Sequence, residues 1–166
     1  MRESARSSER VSAVFEREIV AAVEEQDEFG HVSNVSYVRW VQDVALGHST
    51  RAGWDLERYQ QLGAVFLVRR HELEYLRPVY AGDHILLRTW IERWTAATSV
   101  RHTSMVRTAD QVEVLRATTT WALVGRGDGR PKRIPAEIRD AFLERADLPP
   151  APAAGGEHPE TAERAQ

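Results

Sequence analysis

The segment of residues 27–37 contains the side chains whose types and spacing could carry out chemistry. Asp27 opens it, Gly30 and His31 follow, and cap-type residues precede an apolar helical run. A carboxylate is thereby placed before the start of a helix, where free backbone N–H groups can bind an oxyanion. These groups are the ones needed to cleave an activated acyl ester.

The second half of this segment predicts the hydrogen-bond donors. Ser33 and Asn34 are both suitable N-caps for a helix that begins here. The backbone N–H groups from Ser33 to Val35 then lie at the positive end of the helix dipole. Thioester hydrolysis needs a nucleophile or a base that activates water, and it needs donors aimed at the carbonyl oxygen. We expect Asp27 to supply the first and these N–H groups, at roughly 3–4 kcal/mol per donor, the second.

Each of these residues also has a simpler structural interpretation. Asp27 could cap a loop as an Asx turn, and Gly30 could serve only a backbone conformation that other residues avoid. His31 alone is more typical of a loop-anchoring donor, and Tyr37 is more typical of a core or interface residue. Only the combination, in this order and ahead of a helix, favours a catalytic site.

The composition is that of an ordinary globular protein, and it excludes several classes. The chain of 166 residues is 42% hydrophobic and 28% charged, which fits one domain with a sizeable core. Its net charge of -3 argues against a nucleic-acid partner, because phosphate binding needs clustered positive charge. The lack of cysteine excludes disulfides, thiolate metal ligands and a cysteine nucleophile. The 6 histidines have no close metal-ligand spacing, so we expect no metal and no cofactor.

Both ends of the chain are predicted to be tails. Residues 1–10 are polar and charged, and residues 147–166 are rich in Pro, Ala and Glu without periodic apolar positions. Such segments cannot bury enough apolar surface to offset the entropy of ordering them. The folded domain is therefore expected over residues 11–146. The sequence has no secretory signal and no apolar stretch of membrane length, so we expect a cytoplasmic protein without a membrane partner.

The hydrophobic periodicity predicts the elements that position the segment. A strand over about 11–23 precedes it, and a helix from about Ser33 to Arg51 follows it. The apolar positions of this helix are Val35, Val38, Val41, Ala45 and Leu46. A short helical turn over 54–61, strands over about 65–75, 85–94, 100–106 and 112–124, and a helix over 135–145 complete the order. This order predicts an α+β fold with one antiparallel sheet packed against one helix.

Such a layout predicts an oligomer. A sheet covered on one face by one helix leaves apolar surface and strand edges unsealed. Trp90, Trp94 and Trp121 are predicted to form the surplus apolar surface. We therefore expect a homodimer or a homotetramer.

The segment also resembles a known family. Residues 27–40 have the pattern Asp-x-x-Gly-His-Val-x-Asn-x-x-Tyr-x-x-Trp, which resembles the signature of hotdog-fold thioesterases of the 4-hydroxybenzoyl-CoA thioesterase type. It is also similar to the Asn-x-His-Val-Asn-Asn block of plant acyl-ACP thioesterases. The resemblance covers about residues 11–146. It implies a hotdog fold, in which an antiparallel sheet wraps around one long central helix, with active sites between two subunits and acyl-thioester hydrolysis as the activity.

The resemblance also implies roles for individual residues. Asp27 would be the catalytic carboxylate, acting as nucleophile or as general base on water. Asn34 falls where the family has its oxyanion-binding backbone N–H. Gly30 would permit the turn, and His31 would orient the loop or touch the carbonyl. The plant-type block has a catalytic Asn where this chain has Gly30, so Asp27 as sole carboxylate is the better assignment.

The substrate is expected to be an acyl-CoA or an acyl-ACP thioester. Tyr37, Arg69 and Arg70 are the predicted substrate contacts. The basic run that meets the CoA nucleotide in the 4-hydroxybenzoyl-CoA enzyme is missing here, because residues 94–99 contain no basic side chain. An acyl carrier protein, whose surface is acidic, would be attracted to exposed arginines.

Two other functions and the acyl group stay open at this point. A hotdog hydratase or dehydratase would use Asp27 and His31 to move a proton, and an acyl-CoA-binding protein would use the same fold without turnover. Trp40, Trp54 and Phe66 could line an aromatic or a fatty-acyl slot equally well.

Overall fold

The computed structural model describes residues 12–144. The tails predicted at 1–10 and 147–166 lie outside the described residues. The elements are β1 Phe15–Val20, α1 Asn34–Arg51, α2 Leu56–Leu62, β2 Ala64–Tyr75, β3 His84–Trp94, β4 Thr98–Arg107, β5 Val112–Gly125 and α3 Ala136–Glu144, with a 3₁₀ turn at Val23–Glu25. The predicted order of a strand, a long helix and four strands is confirmed.

The strands form one antiparallel sheet. Its order is β1-β3-β4-β5-β2, so the three consecutive strands β3, β4 and β5 lie in the middle. The edges are β1, which pairs with β3, and β2, which pairs with β5. The predicted α+β class with an antiparallel sheet is confirmed.

Helix α1 packs one face against this sheet. Its large buried side chains are Tyr37, Trp40, Val41, Val44 and His48. Two of the predicted apolar positions were wrong, because Val35 is 78% exposed and Leu46 is 58% exposed. Each of these lies two residues from a buried position, which is about 200° around a helix of 3.6 residues per turn.

A bulge in β3 sets the orientation of Trp94. The strand register shifts between Ile91 and Arg93, and Trp94 then pairs with Ser99. The extra residue moves Trp94 onto the same face of the sheet as Ile91, whereas strict alternation along the strand would place the two on opposite faces. The face of the sheet next to α1 thereby gains an indole ring.

A second bulge acts in the same way on β2. The register shifts between Val68 and Arg70, so that Phe66 lies opposite Leu123 and His71 lies opposite Thr119. Strict alternation along the strand would place Phe66 and His71 on opposite faces. Because the bulge inserts one residue between them, they share a face.

The three tryptophans predicted to form the surplus apolar surface, Trp90, Trp94 and Trp121, are all half-buried within the chain. Trp90 stacks on His102 with ring centroids 5.6 Å apart. The most exposed large apolar residues of the described chain are Val35, Phe29, Val23, Leu56 and Leu46.

The interior has two apolar clusters with a polar layer between them. The first surrounds the N-terminal half of α1, where Tyr37, Trp40 and Val44 pack against β3, β4 and β5. The second surrounds the end of α1 and the two short helices, with Trp54, Ile138 and Phe142 among its members. The buried polar residues between them include Thr89, Thr103, Thr119, Arg101 and His48.

In this polar layer, Arg101 is hydrogen-bonded to a neutral histidine. Its Nη1 lies 2.9 Å from His48 Nδ1 and 3.1 Å from Thr89 Oγ1. Burial, together with the adjacent Arg101 charge, lowers the pKa of His48 from 6.5 to about 3. His48 therefore accepts a hydrogen bond from Arg101 through its unprotonated Nδ1.

This arrangement predicts a loss of stability in mild acid. The unfolded chain binds a proton at His48 near pH 6.5, whereas the folded chain does not until about pH 3, so the stability falls with pH through this window. Between pH 7 and pH 5 the loss attributable to His48 should be about 2 kcal/mol. Urea unfolding at both pH values measures it. His48→Gln should lack this loss, and the exposed control His84→Gln should retain it; equal pH dependence in all three proteins would contradict the assignment.

Candidate active site

The loop before α1 is a short closed hairpin. Gln26 and Val32 form an antiparallel bridge. Inside it, the Asp27 N–H donates to the His31 carbonyl at 2.7 Å, and the Gly30 N–H donates to the Asp27 carbonyl at 3.1 Å. Gly30 has φ +80°, a conformation that costs little only for glycine. The loop therefore has one defined shape that depends on its glycine.

The Asp27 carboxylate has one structural oxygen and one free oxygen. Its Oδ1 accepts the backbone N–H groups of Phe29 at 2.9 Å and His31 at 3.3 Å, as in an Asx turn. Its Oδ2 receives no hydrogen bond from any residue between 12 and 144. The side chain is exposed. The loop-capping interpretation and an available carboxylate oxygen are thus compatible in the same residue.

Glu25 ties this loop to α1. Its Oε1 accepts from Trp40 Nε1 at 2.9 Å and from the Arg39 guanidinium, and its Oε2 accepts the Ala22 N–H at 3.0 Å. Its carbonyl accepts the Ser33 N–H at 2.8 Å. Sequence reasoning missed Glu25, because it is one of several neighbouring acidic residues and nothing local distinguishes it.

Ser33 caps α1 and leaves two backbone donors unpaired. Its Oγ accepts the Ser36 N–H at 3.3 Å. Its own N–H is bonded to Glu25 and is therefore not an available donor. The N–H groups of Asn34 and Val35 have no acceptor in the described part of the chain. They are the first-turn donors that a helix leaves free for a ligand.

A cleft brings four of the predicted residues together. It encloses about 550 Å³ of empty space, part of it open to solvent. Its lining residues are Asp27, His31, Val32, Asn34, Tyr37, Tyr75, Leu76, Arg77 and Pro78. Gly30, Ser33 and Val35 adjoin this cleft in sequence but do not line it. Asp27 and the first residue of α1 therefore line the same cleft.

The aromatic groups at this cleft are firmly packed. Tyr37 is only 3% exposed, and its ring makes edge contacts with Trp40 at 5.3 Å and Tyr75 at 5.4 Å between centroids. Burial raises the pKa of Tyr37 to about 12, so its hydroxyl stays protonated. The His31 ring lies edge-on to Tyr80 at 5.2 Å. Tyr37 therefore forms a packed wall of the cleft and is not a freely exposed substrate contact.

The structure does not bring Arg69 and Arg70 into this cleft. Both are exposed on β2, and Arg70 pairs with Glu72 at 2.8 Å. The arginine that lines the cleft is Arg77, which sequence reasoning missed. Arg77 reaches it because the Val32 N–H donates to the Val79 carbonyl at 2.8 Å, and this long-range pairing has no local signal.

A second cavity lies beneath the C-terminal half of α1. Trp54 and Phe66, two of the predicted acyl-slot residues, line it, whereas Trp40 does not. No group of His, Asp and Glu side chains within 12–144 is arranged to hold a metal ion. None of the described helices is long and apolar enough to cross a membrane.

Comparison with known proteins agrees with the fold. A family model described as the thioesterase-like superfamily matches residues 22–142. The chain is similar to the solved structure of a 1,4-dihydroxy-2-naphthoyl-CoA thioesterase from Synechocystis, with a TM-score of 0.74 at 14% identity, covering 82% of this chain and 100% of that one. It is similar also to a DHNA-CoA thioesterase from Staphylococcus aureus, with a TM-score of 0.72 at 16% identity, covering 78% and 89%.

The match of the family model covers most of the chain, and the likeness to the solved structures extends over nearly their whole length. The chain therefore belongs to the thioesterase-like superfamily and has the hotdog fold, in which an antiparallel sheet wraps around one long central helix.

Proposed function

We propose that this protein hydrolyses an acyl-CoA thioester in the cleft at the N-terminus of α1. Asp27 acts as nucleophile or as general base, and the backbone N–H groups of Asn34 and Val35 bind the oxyanion. The observation that carries the proposal is that an unbonded Asp27 oxygen and the unbonded Asn34 N–H belong to residues lining the same cleft. Membership of a thioesterase-like superfamily supports the same reaction class.

The chemistry needs no further acid. With Asp27 as base, a water oxygen adds to the thioester carbon while its proton passes to the carboxylate, and the carbonyl oxygen becomes negative. The N–H groups of α1 stabilise that charge. Collapse breaks the C–S bond, and the thiolate leaves and takes the proton from Asp27. With Asp27 as nucleophile, its carboxylate attacks the thioester carbon and expels the thiolate. Water then cleaves the resulting mixed anhydride to the same products, the acid and the thiol.

Glu25 supports this chemistry as a positioning residue. Its side chain is 10% exposed and is bonded to α1 through Arg39 and Trp40, while its carbonyl holds Ser33. The Asp27 loop is therefore fixed relative to the helix start before any substrate binds. Such preorganisation avoids a reorganisation cost in the transition state.

The carrier and the oligomer are part of the same proposal. Arg77 in the cleft, with Arg69 and Arg70 on β2, offers positive charge to the phosphates of CoA or to an acidic carrier protein. The outer edge of β2 is a 12-residue strand whose backbone groups are available to a second copy. We expect a homodimer or homotetramer by light scattering, and a monomer would remove this part of the proposal.

A panel of short, long and aromatic acyl-CoAs tests the reaction class. Release of free thiol supports hydrolysis. Loss of enoyl absorbance without free thiol would indicate a hydratase instead. Tight binding across the panel without turnover would indicate an acyl-CoA-binding protein.

Substitution of Asp27 separates its chemical role from its structural one. Asp27→Asn keeps an Oδ1 acceptor for Phe29 and His31, so stability should change little while thioester cleavage falls at least about 100-fold. Asp27→Ala should lose the same activity and also about 1 kcal/mol of stability, because the loop cap is gone. Thiol release and urea unfolding measure the two effects. Glu28→Gln, at the exposed neighbouring carboxylate, is the matched control and should keep wild-type activity. Wild-type turnover by Asp27→Asn would contradict the catalytic role of Asp27.

Substitution of Asn34 tests the backbone donor. Asn34 is the first residue of α1, where proline is well tolerated, and the preceding Ser33 has φ -67° and ψ 149°, which suits a residue before proline. Asn34→Pro should therefore remove one N–H without breaking the helix, and kcat should fall about 100- to 1000-fold. Asn34→Ala removes the side chain but keeps the N–H, and it should stay within a few-fold of wild type. Equal kcat values for the two variants would rule out the N–H as an oxyanion donor.

A further inference from the structure

The cavity beneath the C-terminal half of α1 is separate from the Asp27 cleft. It encloses about 640 Å³ of empty space, part of it open to solvent, and shares no lining residue with that cleft. Its aromatic lining residues are Trp54, Tyr59, Phe66, Trp94, Trp121 and Phe142. Asn34 and Ser49 mark the two sites on α1 and are about 22 Å apart at 1.5 Å per residue. The cavity is therefore an aromatic site of its own.

Two charged side chains line this aromatic cavity, the exposed Asp55, which caps α2, and the buried Arg101. Arg101 is 5% exposed and forms no salt bridge with any carboxylate in the described part of the chain. Its Nη1 donates to His48 and Thr89, which are both neutral, while its Nε and Nη2 have no acceptor among residues 12–144. Burial lowers the pKa of Arg101 from 12.5 to about 10, so the guanidinium is still charged at neutral pH. A buried charge without a counter-charge is costly to the fold.

The same cavity is lined by indole groups with unpaired donors. The buried Nε1 atoms of Trp54, Trp94 and Trp121 have no hydrogen-bond acceptor within the described residues. All three side chains line the cavity. Buried N–H groups of this kind normally have a partner. Three indole donors of the residues that line this cavity are thus unpaired.

We propose that this cavity binds a small aromatic carboxylate. The aromatic walls take the ring system, and the carboxylate pairs with the free edge of the Arg101 guanidinium. The ligand is a free acid, because the Asp27 cleft lies about 22 Å away along α1. Its carboxylate supplies the counter-charge that Arg101 lacks.

The first experiment compares two ligands of nearly equal shape on the wild-type protein. Isothermal titration calorimetry with 2-naphthoate and with the uncharged 2-naphthamide measures the contribution of the charge. The acid should bind at least tenfold more tightly, which corresponds to about 1.4 kcal/mol. Equal affinities, or no binding of either, would overturn the proposal without the need for any variant.

A substitution then assigns the preference to Arg101. Arg101→Met removes the charge with a side chain of similar length, and it should abolish the preference for the acid while the thermal midpoint of the free protein stays equal or rises. Arg88→Met, at an exposed arginine of β3 that pairs with Glu16, is the matched control and should keep the preference. A folded Arg101→Met protein that still prefers the acid would overturn the assignment.

This site is independent of the proposed hydrolase, because it lies about 22 Å along α1 from the Asp27 cleft. The calorimetry does not depend on turnover, so failure of the proposed hydrolase and failure of this site are separable.

Discussion

The packing of α1 across one face of the sheet is the contact on which the rest of the molecule depends. Tyr37, Trp40 and Val44 are almost completely buried there, and each such side chain contributes roughly 1.5–3 kcal/mol on leaving water. The contact also fixes where the two ends of α1 lie. The N-terminus opens onto the Asp27 cleft, while the C-terminal half covers the aromatic cavity. A single packing interaction thereby positions two chemically different sites.

The site at the N-terminus of α1 costs the fold little stability. Asp27 is exposed, and one of its oxygens is already satisfied by two backbone donors, so its carboxylate is not desolvated. The strain of the turn is confined to Gly30, which tolerates a positive φ. The buried polar group of this site is instead Glu25, and its carboxylate is fully paired with α1 and the preceding turn. The position of the Asp27 carboxylate is thus fixed by Glu25, whose own carboxylate is fully hydrogen-bonded.

Local sequence signals predicted the turn and the helix start within residues 27–37. The features that they missed depend on pairing between residues far apart in the sequence. The Ser33 cap, the turn at Gly30 and the order of elements follow from residue types within a few positions of each other. Which residues of β2 and β3 share a face could not be predicted. Each strand contains a bulge that inserts one residue, and no residue type in the sequence marks its place. Arg77 could not be assigned to the cleft, since its place depends on a hydrogen bond between two distant loops. Burial of Arg101 likewise depends on contacts with α1.

The two sites differ in their effect on stability, because the Asp27 carboxylate is exposed whereas the Arg101 guanidinium is buried without a counter-charge. A methionine of similar length would fill the space beside Phe142 and His48 without desolvating a charge, and such replacements of buried ions are often neutral or stabilising. The polar layer satisfies only Nη1 of the guanidinium, through Thr89 and a histidine that burial keeps neutral. Stability alone therefore does not explain an arginine at this position. A carboxylate in the aromatic cavity supplies the missing charge, which is the condition under which a buried guanidinium becomes favourable.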